Sequence, residues 1–309
     1  MSVPHALWYR RRMNPVRNHA RPVRGTASNG ARASAPEGPS GRAISNGMKI
    51  LIIGNGWVGN MMQEYLGADM AQQRLEEITE ALVSPYDIVI NAAGKTNIDW
   101  CETNKYEALS VNATSAADLA RVCQKLGKKY VYISSACIFE SLRADDWKDE
   151  YTEPNPACFY ALTKVVAEHL VQEAAEGALI IRIRLPISEV PHPRNTLTKI
   201  LAYPTLHTNQ ETVTVVEDML PALQKLIEAQ ERGVFHLVNE DTISPLEMRT
   251  ALGIPGTFTG IEKKDMDAAL KKAGRAKRVS TLVRSTRIPP LPSIHVRMPQ
   301  IAKIYKTHL

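Results

Sequence analysis

An α/β fold, with a doubly wound parallel sheet and a smaller carboxyl-terminal lobe, is what three features of this sequence predict. Short unbroken apolar runs recur near residues 49–53, 87–90, 129–133 and 179–185, the pattern of parallel strands buried on both faces. Stretches with helical spacing of apolar residues separate them, so strands and helices alternate. The first run leads at once into a glycine turn that opens a helix, the start of a βα unit.

In order along the chain, Lys49-Ile50-Leu51-Ile52-Ile53 is the first strand and Gly54-Asn55-Gly56-Trp57-Val58-Gly59 the turn, followed by a helix through Met61, Met62 and Leu66. Strand, glycine turn and helix in this order suit a dinucleotide. Gly54 makes the tight turn, Gly56 lets backbone approach a pyrophosphate, and Gly59 lets helix pack on strand. A second strand ending in an acid should follow, but residues 67–73 are short and polar, and Arg74-Leu75-Glu76 opens another helix. Arg74 is therefore a candidate for the 2′-phosphate of NADP, or else a solvated helix charge.

Residues 87–90 form the next strand, ending in Asn91-Ala92-Ala93-Gly94, small residues where a ribose and ring can come close. A long helix over 104–126 is expected, with Asn112 either exposed or bracing a site. The strand at 129–133 leads into Ser134-Ser135-Ala136-Cys137, and an acidic, mobile loop is expected over 143–155. A helix carrying Tyr160 and Lys164 runs to about Ala175, and a strand over 179–185 follows. Further on, the pattern gives a strand near Val213, a helix over 219–230, a strand over 234–238 and two short helices. The tail is broken by Pro289, Pro290 and Pro292. The expected division is a cofactor part over about 48–180 and a substrate lobe mainly over 181–309.

The net charge of +6 is concentrated in a leader. Residues 1–47 hold eight Arg and one Glu, a formal +7, so residues 48–309 sum to −1. Nothing in the nearly neutral part argues for nucleic acid. The leader has no apolar run suited to a signal peptide or membrane span. Three readings fit it: an organelle transit peptide, a disordered basic tail, or an upstream extension of a functional chain starting at Met48. Composition favours the last two. Cys101, Cys123, Cys137 and Cys158 show neither zinc spacing nor a disulfide framework, which suits a reducing cytoplasm.

Tyr160 and Lys164 lie one helical turn apart on one face. An ammonium beside a phenol favours the phenolate, so the tyrosine can give or take a proton. The pair alone is weak, being common on amphipathic helices. A preceding glycine turn and a strand-end hydroxyl, Ser135, give it weight.

Together these stretches resemble an extended short-chain dehydrogenase/reductase with a Rossmann-type sheet, in the dTDP-4-dehydrorhamnose reductase branch. The chain is most similar there to the bifunctional nucleotide-rhamnose synthase/epimerase-reductase. The specific runs are Asn97-Ile98-Asp99-Trp100-Cys101-Glu102, Cys137-Ile138-Phe139-Glu140, Arg182-Ile183-Arg184-Leu185-Pro186-Ile187-Ser188, Pro193-Arg194-Asn195 and Thr198-Lys199-Ile200. The resemblance covers about residues 48–240. Its departures are the short Gly54-Asn55-Gly56 turn and a compressed stretch between Gly59 and Asp87.

The resemblance implies that Tyr160 is the catalytic acid, Lys164 its partner and Ser135 the hydroxyl donor. Cys137 and Lys199 take the places of an epimerase acid/base pair, with inert packing as the alternative for Cys137 and a solvated side chain for Lys199. His192 is a substitute acid or a loop histidine. Gly54 to Gly59, Arg74, Asn91, Ala92, Ala93, Tyr160 and Lys164 would hold NADPH, with NADH as the alternative. Ser135, Arg184, Arg194 and Asn195 would hold substrate, Arg184 being alternatively a structural ion pair.

The implied reaction is reduction, with 3,5-epimerisation, of a nucleotide-4-keto-6-deoxyhexose to nucleotide-L-rhamnose. The substrate would come from an upstream 4,6-dehydratase, and a homodimer is the assembly to consider. A 4-keto reductase without epimerase activity, or a non-catalytic dinucleotide-binding subunit, are the alternatives.

Overall fold

The computed structural model describes residues 47–309, so the basic leader, apart from Gly47, lies outside the described residues. The first strand, β1 (Ile50–Ile53), is wholly buried and leads through the glycine turn into α1 (Trp57–Leu66). The second strand that the sequence hides does exist. It is β2 (Asp69–Met70), only two residues long, paired parallel to β1, and followed by a 3₁₀ turn over Leu75–Glu77 and α2 (Glu80–Val83). Two residues are too few for periodicity to register. Asp69 pairs with Leu51 rather than ending the strand, and its carboxylate accepts the Tyr86 hydroxyl.

Beyond β3 (Ile88–Asn91) come α3 (Ile98–Thr103) and α4 (Lys105–Leu109). The long helix expected over 104–126 is interrupted. Ser110–Thr114 is one π turn between α4 and α5 (Ser115–Lys125), a feature frequent at functional sites. Then follow β4 (Lys129–Ser135), α6 (Phe159–Ala174) and β5 (Leu179–Ile183).

The acidic loop before α6 is anchored rather than loose. Glu150 is buried, accepts the His236 backbone N–H and the Ser285 hydroxyl, and takes the Thr286 N–H on its other oxygen. Lys148 pairs with Val283 in an isolated bridge.

The remaining elements are β6 (Pro186–Ile187), α7 (Thr196–Leu201), β7 (Thr205–His207), β8 (Thr214–Val215), α8 (Val216–Glu228), β9 (Gly233–His236), α9 (Pro245–Leu252), β10 (Thr259–Ile261), α10 (Lys263–Lys272) and α11 (Ile294–Lys306). The main sheet has the order β2-β1-β3-β4-β5-β9 with every pair parallel. The order reverses between β1 and β3, which opens a crevice at their carboxyl ends. Not all of the chain beyond residue 180 belongs to the smaller lobe. The chain returns after that point to add β9 to the sheet and to pack Met219, Leu223 and Ile227 of α8 on the face that α1 covers.

The opposite face is filled by α5 and α6, through Leu119, Ala120, Ala167 and Val171. The smaller lobe has its own core, where Leu197, Met248, Leu252, Met298, Ile301 and Tyr305 meet. Its last helix, α11, was hidden by the prolines before it and by Pro299 within it. Among the described residues no helix is long and apolar enough to cross a membrane.

Candidate functional site

The loops that follow β1 and β3 touch at the switch point. Gly54 has φ +110, and a Cβ there would lie 2.4 Å from the Ala93 nitrogen. A Cβ on Gly59 would lie 2.0 Å from the Gly54 oxygen. Both glycines are thus required by close backbone approach. Around Gly56 there is open space instead. It caps α1 without a side chain, and the first turn of α1 carries no acid, so its N–H groups and positive dipole end are free for an anion. Asn91 is buried and turned inward, donating to the Tyr130 hydroxyl and accepting the Ala93 N–H, so it shapes the loop through its side chain. Arg74, just past the carboxyl end of β2, is exposed.

Ser135 is the last residue of β4, and its hydroxyl accepts the Cys137 N–H (3.2 Å) and pulls down the pKa of the nearby Tyr160 phenol. Cys137 therefore sits in the same turn as the hydroxyl donor. Of the four cysteines it alone is not buried. Burial pushes the Cys101 thiol up to about 11 and also raises Cys158. Burial likewise pushes the Tyr160 phenol up, nearby thiols add to this, and Ser135 opposes it. The sequence suggested a phenol able to titrate near neutrality, whereas this environment holds it protonated, as an acid must be.

Lys164 is 3% exposed and donates to the Tyr132 hydroxyl (2.9 Å) and the Ile133 carbonyl (3.1 Å). Burial pushes its ammonium down to about 8, against the opposite pull of Glu168. Tyr132 passes the contact on by donating to the Asn112 carbonyl (3.0 Å). Asn112, in the π turn, accepts the Lys95 N–H (2.7 Å) and donates to the Lys95 carbonyl and to Thr163 on α6. It is buried and braces two walls of the site. A Cβ on Gly94 would meet the Asn112 oxygen at 3.2 Å and the Lys164 nitrogen at 3.7 Å. The ammonium thus stands beside the loop after β3.

Two candidate substrate contacts, Asn195 and Arg184, are turned into the protein. Asn195, expected to touch substrate, is fully buried. It caps α7 by accepting the Leu197 N–H and donates to the Ser188 and Val190 carbonyls. Arg184, read either as a substrate contact or as a structural ion pair, is buried and paired with Glu211 (2.6 Å), and it donates to the Val279 carbonyl (2.7 Å) and the Cys137 sulfur (2.9 Å). Its fork is spent on the protein.

Arg194 is exposed and its backbone N–H donates to His192, whose ring stacks on Trp57 at 5.5 Å. That stack joins the helix after the glycine turn to the smaller lobe. Lys199 is on α7, its ammonium pushed down by burial and by Arg194.

Reading the sequence missed Tyr132, Arg184 as a neighbour of Cys137, and Glu168. Tyr130 and Tyr132, two apart on β4, both send hydroxyls to carbonyls of the chain over 112–116, a period-2 signal that was there to find. Glu168, one turn after Lys164, takes the Ser134 hydroxyl (2.5 Å) and pairs with the wholly buried Arg182 (2.6 Å). Nothing in their spacing announces that pair.

The RmlD substrate binding domain model matches residues 48–254. A trifunctional UDP-glucose 4,6-dehydratase/UDP-4-keto-6-deoxy-D-glucose 3,5-epimerase/UDP-4-keto-L-rhamnose-reductase of Arabidopsis thaliana is 29% identical over 224 residues, 65% of this chain and 33% of that protein. The bifunctional dTDP-4-dehydrorhamnose 3,5-epimerase/reductase of the same plant is 27% identical, over 66% of this chain and 74% of its own length. The chain therefore spans about a third of the trifunctional relative.

Among solved structures, the UDP-rhamnose synthase of Acanthamoeba polyphaga mimivirus superposes with a TM-score of 0.74 at 26% identity, covering 83% of this chain and 99% of that one. The dTDP-4-dehydrorhamnose reductase of Bacillus anthracis, in complex with NADP, shares the fold at TM-score 0.71 and 20% identity, over 85% and 99%. With its family model matched across the sheet and much of the smaller lobe, the chain belongs to the RmlD substrate binding domain family.

Proposed function

We propose that the chain reduces the C4 ketone of a UDP- or dTDP-linked 4-keto-6-deoxyhexose with NADPH, and epimerises C3 and C5, to give nucleotide-L-rhamnose. The observation that carries this reading is one constellation of side chains at the ends of β3 and β4 and on α6. Ser135 lies close enough to Tyr160 to act on its phenol, Lys164 stands beside the loop after β3, and Cys137 shares the Ser135 turn. The open face at Gly56 and the acid-free first turn of α1 fit a dinucleotide. Residues Gly54 to Gly59, Ala92, Ala93 and Lys164 would hold it, with exposed Arg74 facing a 2′-phosphate.

Bound NADPH supplies the hydride. Tyr160 gives its phenolic proton to O4, Ser135 donates to the same oxygen, and the Lys164 ammonium favours the phenolate left behind. For epimerisation, Cys137 removes a proton next to the C4 carbonyl, the carbon–hydrogen electron pair passing into an enolate. Lys199 or His192 is the candidate to return a proton on the other face. The keto sugar requires a 4,6-dehydratase upstream, an activity named in the trifunctional plant relative. Four free thiols suit a reducing compartment such as the cytoplasm.

A reductase without epimerase activity is the second reading, favoured by the commitment of the Cys137 sulfur to the buried Arg184 guanidinium. Incubating the chain with NADPH and either keto sugar in deuterated water, with NMR of the product, tests both. Deuterium at C3 and C5 of a rhamnose product is the expected result. An unlabelled 6-deoxyhexose would leave reduction alone, and NADPH binding without turnover would overturn the proposal.

A further inference from the structure

The resemblance gives Cys137 a lysine partner, yet the cation that meets its sulfur is Arg184. The Arg184 guanidinium donates to the Cys137 sulfur at 2.9 Å, across 47 residues of sequence, and the ion pair with Glu211 fixes it from behind. The Val279 carbonyl and the Glu211 carboxylate share its other terminal nitrogen, so the fork cannot swing away. Two features show that this placement is costly. Arg184 Nε is buried with no acceptor among the described residues, which leaves one donor of the fork unpaired. The next residue, Leu185, has φ +36, a left-handed conformation rare outside glycine, and it turns the chain between β5 and β6.

We propose that Arg184, held by Glu211, is the positioning residue that holds the Cys137 sulfur and favours negative charge on it as it takes a proton. The inference rests on the epimerase reading of Cys137. A fixed guanidinium favours negative sulfur both by charge and by a donated hydrogen bond, and the thiolate is the form that can abstract a proton. The other titratable groups acting with Cys137 are Tyr160 and Lys164 on α6 and Cys158 at its start. Of these Lys164 alone adds positive charge, and its donors are committed to Tyr132 and Ile133.

The test is the rate of Cys137 alkylation by iodoacetamide against pH, resolved by peptide mass spectrometry, in the full chain. Arg184→Lys keeps a charge against Glu211 but withdraws the fork. It is expected to slow alkylation at pH 7 by about tenfold and to move the profile to higher pH. Cooperative unfolding and retained NADPH binding identify a folded variant. Glu211→Gln leaves the guanidinium in place without its counter-charge and is expected to speed alkylation. An unchanged rate in folded Arg184→Lys overturns the inference, as does an unchanged or slower rate in Glu211→Gln should the lysine variant not fold. Deuterium wash-in with Cys137→Ala is read separately. If wash-in persists without the thiol, the epimerase role of Cys137 fails, whatever the alkylation shows.

Discussion

Replacing Tyr160 with phenylalanine is expected to lower ketone reduction by about a hundred- to ten-thousand-fold, the contribution usual for a positioned acid. The substitution conserves volume in a site where Tyr160 packs among Cys101, Cys158 and Ala161. Ser135 keeps its bond from the Cys137 N–H, so the turn is not left open. The stability cost should be near that of one hydrogen bond, about 1 kcal/mol. NADPH affinity should change little, since the lost atom is the proton donor and the ammonium remains. Steady-state kinetics with cofactor titration checks this. A variant that keeps near-normal turnover would remove Tyr160 from the chemistry.

Lys164→Met should lose about a hundred- to thousand-fold in turnover, as for removal of one preorganised donor, and should bind NADPH more weakly as well. The wild-type pH profile carries the same information. The folded ammonium titrates near 8, below its ordinary 10.5, because burial disfavours the charge. As pH rises through about 8 the charge is lost, so kcat/KM of the free enzyme should fall from there. Stability moves the other way. Between about 8 and 10.5 the unfolded chain holds the extra proton, so this group's contribution to folding stability rises with pH. An activity loss near pH 8 with no drop in the unfolding midpoint is therefore the expected signature, and Lys164→Met should lack that alkaline limb. Parallel loss of activity and fold, or an unchanged limb in the variant, would count against it.

The first strand and its turn were legible because their demands are local. An apolar run can only be buried, and Gly54 and Gly59 answer contacts that any side chain would break. Tyr160 and Lys164 were legible because four residues is one turn of helix. What stayed hidden depends on distant pieces of chain meeting. Arg184 reaches Cys137 from just past the end of β5, whereas sequence order offered Lys199. Asn195 had the composition of a ligand contact and turned out to be a helix cap.

The run Asn97 to Glu102 carried the resemblance without revealing its use, which is largely structural. Asn97 caps α3, Glu102 accepts the Phe159 N–H that opens the helix of Tyr160, and Asp99 gathers Arg275, Arg278 and the Ala276 N–H. The hydrogen bond from Arg278, with help from Arg275, holds the Asp99 carboxyl well below the usual carboxylate range. That ties the segment after α10 to the wall of the site.

The most direct measurement follows deuterium from NADPH, labelled at the transferable position of its nicotinamide, into the sugar. The chain is mixed with a nucleotide-4-keto-6-deoxyhexose, and the product is read by NMR. Label at C4 of a nucleotide-linked 6-deoxyhexose is the predicted result. Keto sugar recovered unlabelled, from a chain shown to bind NADPH, would contradict the role assigned to Ser135, Tyr160 and Lys164.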